Sequence, residues 1–186
     1  MPRPAFPLPD PELRDDAIRL RPPRPDDVGA LYEACQDPLI QRFTFVPDPY
    51  REEHARDWVA RAPAAREAGE QLQLVIADAR DDRLLGTAGV LRPDWEHRVA
   101  EIGYFVVPQA RGRGAATRAV RMLGRWAVTH LGLARVSCDV DVENVASLRV
   151  AQRAGFVREG VLRSLIEAKG RRWTVVVHSL LPEDLG

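Results

Sequence analysis

The sequence has few cysteines, no excess of either charge and no long uncharged apolar run. Lys plus Arg and Asp plus Glu are equal at 27 each among 186 residues, whereas a dedicated nucleic-acid binder usually carries a basic excess. No apolar run approaches the length of a membrane span. Cys35 and Cys138 lack CxxC spacing, so we expect reduced thiols, no metal site and a cytoplasmic protein. We therefore expect neither nucleic acid nor membrane as a partner.

Proline is concentrated at the start of the chain, where five prolines fall within the first eleven residues. This composition is typical of an extended segment, and the lack of an apolar core in it argues against a secretory signal. The length suits one domain with a hydrophobic core. We therefore predict a proline-rich N-terminal arm over residues 1–16 and a single domain over residues 17–186.

Hydrophobic periodicity and turn residues predict the element order β-α-α-β-β-β-α-β-α-β-β. The predicted strands are 17–21, 72–79, 84–91, 98–107, 134–140 and a final hairpin across Lys169-Gly170. The predicted helices are 25–35, 50–68, one from the glycine-rich segment to 131, and 144–154, with residues 41–50 as a loop. This order indicates an α+β (α/β) domain with a mostly antiparallel sheet.

One segment, "VVPQARGRGAATRAV" over residues 106–120, leads from a predicted strand through two glycines into an amphipathic helix. A helix N-terminus offers unpaired N–H groups and a partial positive charge, and glycines allow an anion to approach the backbone. A Walker A motif is absent, and a dinucleotide fingerprint would need glycine where Thr117 stands. The remaining alternative is an ordinary turn with solvent-facing arginines. The pattern favours a phosphate site.

A second segment, "DVDVENVASLRVAQRAGF", ends a strand and opens a helix at Asn144. Taken together, the two segments resemble the GNAT acetyltransferase superfamily, through Arg111-x-x-Gly114-x-Ala116 and a later block of Asn144, Ser147, Gly155 and Phe156. "AEIGYFVVP" (100–108), "IRLRPPRPDD" and "DPLIQRF" resemble the Rim-type branch, which acetylates the N-termini of ribosomal proteins. The resemblance covers roughly residues 17–181.

The resemblance implies a three-layer fold in which a mostly antiparallel sheet of about seven strands splays at its middle and carries helices on both faces. It also implies acetyl-CoA as co-substrate, with the pyrophosphate on the glycine-rich segment, the pantetheine arm between the splayed strands, and an oxyanion held by backbone N–H groups near 105–107. The implied coenzyme A-binding residues are Phe105, Val106, Val107, Arg111, Gly112, Arg113, Gly114, Ala115, Ala116, Thr117, Asn144 and Ser147.

Acetyl transfer to an amine needs a neutral amine and a proton for the leaving thiolate. Glu101 is the predicted base, because it lies in an otherwise apolar strand where burial raises a carboxyl pKa. An ordering role for Glu101 stays open, with Glu96 and His97 as alternative bases. Many family members carry a tyrosine where Ala151 stands, so Ser147 is the predicted proton donor.

Five aromatic residues are predicted to line the acceptor pocket, and packing roles for them stay open. They are Phe43, Phe45, Tyr50, Trp95 and Trp173. The predicted function is direct acetyl transfer to a primary amine, either a protein N-terminus or a small molecule, with a non-catalytic acyl-CoA-binding module as the alternative. An RNA-associated role would use Arg111, Arg113, Arg118, Arg121 and Arg125, although their spread is typical of a solvated helix face. A homodimer is also left open.

Overall fold

The computed structural model describes residues 3–186, which form a seven-stranded sheet with helices on both faces. The strands are β1 (Ile18–Arg21), β2 (Leu72–Asp78), β3 (Leu84–Asp94), β4 (Val99–Val106), β5 (Arg135–Asp141), β6 (Val157–Ala168) and β7 (Arg171–Leu180). The helices are α1 (Val28–Ala34), α2 (Pro38–Phe43), α3 (Glu52–Glu67), α4 (Ala115–Thr129) and α5 (Val145–Arg153). The predicted fold class is confirmed.

The sheet has the order β1-β2-β3-β4-β5-β7-β6, and every pair is antiparallel except β4 with β5. That parallel pair is short, because only 99–101 of β4 is in register with 135–137 of β5. Beyond these residues the strands separate although both continue. The splay predicted from the resemblance is therefore present, and it leaves backbone groups of both strands without a strand partner.

Alternation along the strands divides the apolar residues between two layers. Leu74 and Ile76 of β2 belong to the core under α4 and α5, whereas Val75 and Ala77 belong to the core under α1 and α3. A sheet with both faces covered by helices needs this near-continuous apolar composition in its central strands. The result is the expected three-layer arrangement.

The prediction of a loop over residues 41–50 was wrong in its first part, because α2 runs from Pro38 to Phe43. Asp37 caps this helix through its side chain, and proline occupies a first-turn position that it tolerates well. Six residues are too few to show a helical period in sequence. The burial of Ile40 shows that tertiary packing stabilises the helix. Strand β3 also continues past the predicted end at Leu91, to Asp94.

The proline-rich segment packs against the domain near Phe6, whose side chain is fully buried. The backbone N–H of Phe6 donates to the carbonyl of Arg66 at 3.0 Å, and the Arg66 side chain donates to the carbonyl of Phe6 at 2.9 Å. The Phe6 ring lies 4.9 Å from the ring of Trp95. The boundary between residues 1–16 and 17–186 stays a prediction, and residues 1 and 2 lie outside the described part.

Candidate active site

A cavity of about 840 Å³ lies at the splay between β4 and β5. It is lined by consecutive residues of both strands, 101–106 of β4 and 138–141 of β5, and by α2, α3, α5 and the segment before α4. The residues that line the cavity therefore come from both faces of the sheet. A ligand that threads the gap contacts both helical layers at once.

The backbone of β4 presents hydrogen-bonding groups to this gap. The N–H of Val107 donates to the carbonyl of Leu85 at 2.9 Å, on the β3 side. Because successive N–H groups of a strand point in opposite directions, those of Tyr104 and Val106 point toward β5, which has diverged. Among the predicted oxyanion donors, Val106 has the suitable direction, and the amide of Val107 is already engaged.

The glycine-rich segment has the conformation that an anion site needs. Gly112 and Gly114 have φ values of 73° and 81°, in the region that favours glycine, and α4 begins immediately afterward. A Cβ atom on Gly112 would meet no protein atom within 4 Å, and one on Gly114 would meet only the Arg118 side chain at 4.0 Å. The backbone here is thus open to a ligand.

Eleven of the predicted site residues line the cavity: Phe43, Phe45, Tyr50, Glu101, Phe105, Val106, Arg111, Ala116, Asn144, Ser147 and Trp173. The others lie outside its lining: Trp95, Val107, Gly112, Arg113, Gly114, Ala115 and Thr117. Glu96 and His97, the alternative bases, are also outside it. Trp95 instead packs on Phe6, and its indole N–H donates to the carbonyl of Gly69 at 2.9 Å.

Glu101 lines the cavity on the face of the sheet that packs against α1 and α3, the same face as Phe105. Its side chain is 16% exposed and is ion-paired with Arg92 of β3. Burial raises the pKa of Glu101, while the positive charge of Arg92 opposes the rise. The site therefore holds a partly desolvated carboxylate with one compensating cation.

Asp139 of β5 is a second carboxylate of the cavity that the sequence interpretation missed. Burial raises its pKa, and its negative charge adds to the rise in the pKa of Glu101. Its buried Oδ1 atom has no hydrogen-bond partner among residues 3–186. The proximity of Asp139 to Glu101 depends on the pairing of β4 with β5, which strand alternation within 134–140 does not reveal.

Two hydroxyl groups meet on the other face of the sheet, under α5. The oxygens of Tyr104 and Ser147 lie 2.6 Å apart. Burial raises the pKa of Tyr104, so its phenol stays protonated. Asn144 caps α5 by accepting a hydrogen bond from the Ser147 N–H at 3.1 Å, which leaves its Nδ2 atom for a ligand. Tyr104 was missed because strand alternation assigns it to the core face.

The aromatic residues of the cavity gather on its α2 side. The ring of Phe45 stacks on that of Trp173 with centroids 5.2 Å apart. The guanidinium of Arg171 lies over the rings of Phe43 and Trp173. The buried Nε1 atom of Trp173 has no hydrogen-bond partner in the described chain. Tyr50 is buried in the core between α1 and α3, so only part of it reaches the cavity.

Four of the five arginines of the suggested RNA-binding surface, Arg111, Arg118, Arg121 and Arg125, have protein partners. Arg111 is ion-paired with Asp37, and Arg118 with Asp15 and Asp16. Arg125 donates to the carbonyl of Leu185 at 3.5 Å. Residues 3–186 contain no helix with the length and apolar character that crossing a membrane requires. Within the same range, no group of three or more His, Cys, Asp or Glu side chains could hold a metal ion.

Comparisons with known proteins agree with this geometry. The family model described as an acetyltransferase (GNAT) domain matches residues 17–157. The uncharacterized N-acetyltransferase p20 of Bacillus licheniformis is 29% identical over 92% of this chain and 97% of its own length. YdaF of Bacillus subtilis (strain 168), assigned provisionally as a ribosomal N-acetyltransferase, is 34% identical over 74% of this chain and 72% of its own. The latter supports the resemblance to the Rim-type branch.

A solved structure shares the fold. Spermidine N-acetyltransferase from Vibrio cholerae, in complex with CoA and spermine, superposes with a TM-score of 0.78 at 21% sequence identity. The superposition covers 92% of this chain and all of the other. At this identity the likeness establishes the fold, and the site of the present chain has to be argued from its own residues.

Proposed function

The chain belongs to the GNAT acetyltransferase family and is an N-acetyltransferase, and we propose that it transfers an acetyl group from acetyl-CoA directly to a primary amine. The observation that carries the proposal is the cavity through the splay of β4 and β5. It has a carboxylate, Glu101, on one face of the sheet and a hydroxyl pair, Tyr104 and Ser147, on the other. Acetyl transfer to an amine is helped by a base near the attacking nitrogen and an acid near the leaving sulfur.

Coenzyme A fits the residues present. The open backbone at Gly112 and Gly114, followed by the N-terminus of a 15-residue helix, suits a diphosphate. The N–H group of Tyr104, which also points into the gap, suits the amide-bearing pantetheine arm, which would pair with β4 as an added strand does. Acetyl-CoA supplies an activated acyl group on a thioester. The protein supplies alignment, proton transfer and oxyanion stabilisation.

Glu101 accepts a proton from the acceptor ammonium group. An amine with a pKa of about 8 to 10 is mostly charged at neutral pH, so it must lose a proton before it can attack. Burial raises the carboxyl pKa of Glu101 toward that range, and the positive charge of Arg92 favours the ionised form that accepts a proton. Asp139, which faces the same cavity, adds negative charge that favours entry of a cationic amine.

The backbone N–H of Val106 stabilises the oxyanion, because it points into the gap and has no strand partner there. The hydroxyl of Ser147 then protonates the leaving thiolate. Tyr104 holds the Ser147 hydroxyl in place across the 2.6 Å contact, and Ser147 recovers the proton that the attacking nitrogen loses as the amide forms. No covalent acyl-enzyme is needed, since acceptor and donor meet in one cavity.

The acceptor enters from the α2 side, where Phe43, Phe45 and Trp173 form an aromatic wall. Both a protein N-terminus and a small amine are compatible with this wall, and the relatives described above include proteins named for each. We also place the protein in the cytoplasm. Cys35 and Cys138 are buried free thiols in the cores on opposite faces of the sheet, so they cannot pair with each other.

The test is release of the coenzyme A thiol from acetyl-CoA in the presence of a small amine panel. The panel contains a peptide with a free N-terminal serine, the same peptide blocked at its N-terminus, and spermidine. Acetylation of the free peptide or of spermidine, seen by mass spectrometry, supports the proposal. Coenzyme A binding by calorimetry with no acetylation of any panel amine favours the non-catalytic acyl-CoA-binding module instead.

A further inference from the structure

Asp37 and Arg111 form a two-pronged ion pair between elements 74 residues apart in the sequence. Arg111 Nη2 lies 2.6 Å from Asp37 Oδ1, and Nη1 lies 3.2 Å from Oδ2. The side chains are 14% exposed for Asp37 and 34% exposed for Arg111. A bidentate arginine–carboxylate pair fixes orientation as well as distance. The guanidinium pairing holds the pKa of the Asp37 carboxyl below its usual range.

The same carboxylate also builds the first turn of α2. Asp37 Oδ1 accepts hydrogen bonds from the N–H groups of Leu39 and Ile40, each at 3.0 Å. This side chain therefore joins α2 directly to Arg111. A six-residue helix is too short to be stable alone, so its position depends on such contacts.

Helix α2 positions one wall of the cavity on its acceptor side. We call α2 and the two residues after it, 38–45, the acceptor wall. Phe43 and Phe45 of this segment line the cavity, and Phe45 stacks on Trp173. A shift of α2 would move these rings relative to Glu101, and catalysis is sensitive to misplacement of about 1 Å.

At its other end, the ion pair belongs to the segment proposed to hold the diphosphate. The N–H of Arg111 donates to the carbonyl of Pro108 at 3.2 Å, and Gly112 follows with its left-handed backbone. Because the Arg111 guanidinium is engaged by Asp37, the backbone amides and not this side chain are left for the phosphates. Arg111 thus connects the ligand-binding backbone to the acceptor wall.

We propose that the Asp37–Arg111 pair is a positioning pair that transmits coenzyme A occupancy of the glycine-rich segment to the acceptor wall. Coenzyme A orders the backbone around Arg111, and the ion pair then holds α2 and Phe45 in the acceptor-binding arrangement. The donor substrate thereby raises the affinity for the amine. This inference rests on the proposed function, since it requires coenzyme A to bind this segment.

The experiment compares hydrogen exchange of the acceptor wall with and without coenzyme A. In the unaltered protein we expect coenzyme A to slow exchange of amides in residues 39–45 by about fivefold, the low end of ordinary coupling between sites. Asp37→Asn retains a good capping side chain but loses the charge, so the slowing should disappear. Arg111→Gln should behave in the same way. Arg111→Lys retains the positive charge but not the bidentate guanidinium geometry, so it should retain part of the slowing.

The control is Glu159→Gln, which disrupts a bidentate pair with Arg135 outside the cavity lining; Arg135 is exposed to nearly the same extent as Arg111, although Glu159 is more exposed than Asp37. It should leave the slowing unchanged.

For the panel amine that is acetylated, Asp37→Asn should raise KM about fivefold with little change in kcat. Calorimetry with coenzyme A on both single variants and the double variant should give non-additive changes, as expected of residues that act as a unit.

Three results overturn the inference in distinguishable ways. If coenzyme A binds the unaltered protein but does not slow hydrogen exchange in residues 39–45, its binding is not transmitted to the acceptor wall. If coenzyme A slows exchange equally in Asp37→Asn, the ion pair plays no part in the transmission. Arg111→Gln could also lower the affinity for coenzyme A by the same factor whether or not Asp37→Asn is present. That result would make Arg111 a direct phosphate ligand. Failure of the unaltered protein to bind coenzyme A would reject the proposed function itself.

Discussion

The hydroxyl oxygens of Tyr104 and Ser147 are 2.6 Å apart, which joins a strand and a helix that are 43 residues apart in the sequence. The pair lies at the gap between β4 and β5, on the face opposite Glu101. Tyrosine is absent from the position on α5 where many family members carry it, since Ala151 stands there and is fully buried. In this chain a phenol of β4 contacts the Ser147 hydroxyl of α5 instead.

Ser147→Ala should lower kcat by about tenfold, because the leaving thiolate loses its proton donor. The loss should persist at high pH, since it follows the attack of the amine. Tyr104→Phe should give a smaller loss in the unaltered background and none in the Ser147→Ala background. Steady-state rates of the two single variants and the double variant measure this. Additive losses would mean that the two hydroxyls act independently.

Glu101→Gln should reduce kcat/KM by about 100-fold near neutral pH, where the acceptor amine is mostly charged. The deficit should shrink as the pH rises, because a neutral amine needs no base. Initial rates across the pH range test the prediction, and thermal unfolding of the variant verifies its folding. A deficit that is the same at every pH would assign Glu101 to structure and would direct the search for a base to Asp139.

Arg92→Gln should move the acidic limb of kcat/KM to higher pH. The Arg92 charge lowers the pKa of Glu101 against the rise caused by burial, so its removal raises that pKa further. A base acts only when deprotonated, and the variant therefore needs a higher pH for the same activity. Arg83→Gln, which removes an exposed arginine paired with Asp78, is the control and should leave the limb in place. A shift toward lower pH in Arg92→Gln would contradict the proposed role of Glu101.

Gly114→Val should weaken coenzyme A binding by at least tenfold in calorimetry, because its side chain would occupy open space beside the backbone that the diphosphate approaches. Gly132→Val is the matched control. Gly132 also has a left-handed φ, 66°, and a Cβ atom there would meet no protein atom within 4 Å, but this glycine follows α4. Both variants carry backbone strain of about 1–2 kcal/mol. Equal coenzyme A affinities in the two variants would place the diphosphate elsewhere.

Cys35 and Cys138 should not react with a thiol reagent at neutral pH while the protein is folded. Burial raises the pKa of Cys35 to about 11 and also raises the pKa of Cys138, so the reactive thiolate is scarce. Both thiols should react once the chain is unfolded in denaturant. Direct transfer further predicts that Cys138→Ala retains acetylation, with no ping-pong kinetics. A labelled acetyl group on Cys138 in the folded enzyme would refute direct transfer.

The sequence by itself determined the parts of this protein that depend on local backbone chemistry. The glycine-rich segment, α5 and the sheet strands were predictable because each depends only on neighbouring residues. The features concerned are the positive φ of Gly112 and Gly114, the capping role of Asn144 and the period-two pattern of the strands. The resemblance added the splay. Glu101 was found because a charged residue in an apolar strand stands out.

Only the tertiary structure decided which distant side chains meet. Asp37 with Arg111, and Tyr104 with Ser147, depend on the order of the strands and on how helices pack across them, which no local pattern encodes. Helix α2 has too few residues for a period and is positioned by a capping aspartate whose partner is 74 residues away. Trp95 was predicted from the sequence to line the acceptor pocket, but tertiary packing places its ring against Phe6 instead. Packing is settled by the whole chain, since each contact requires all the elements between its partners to be in place.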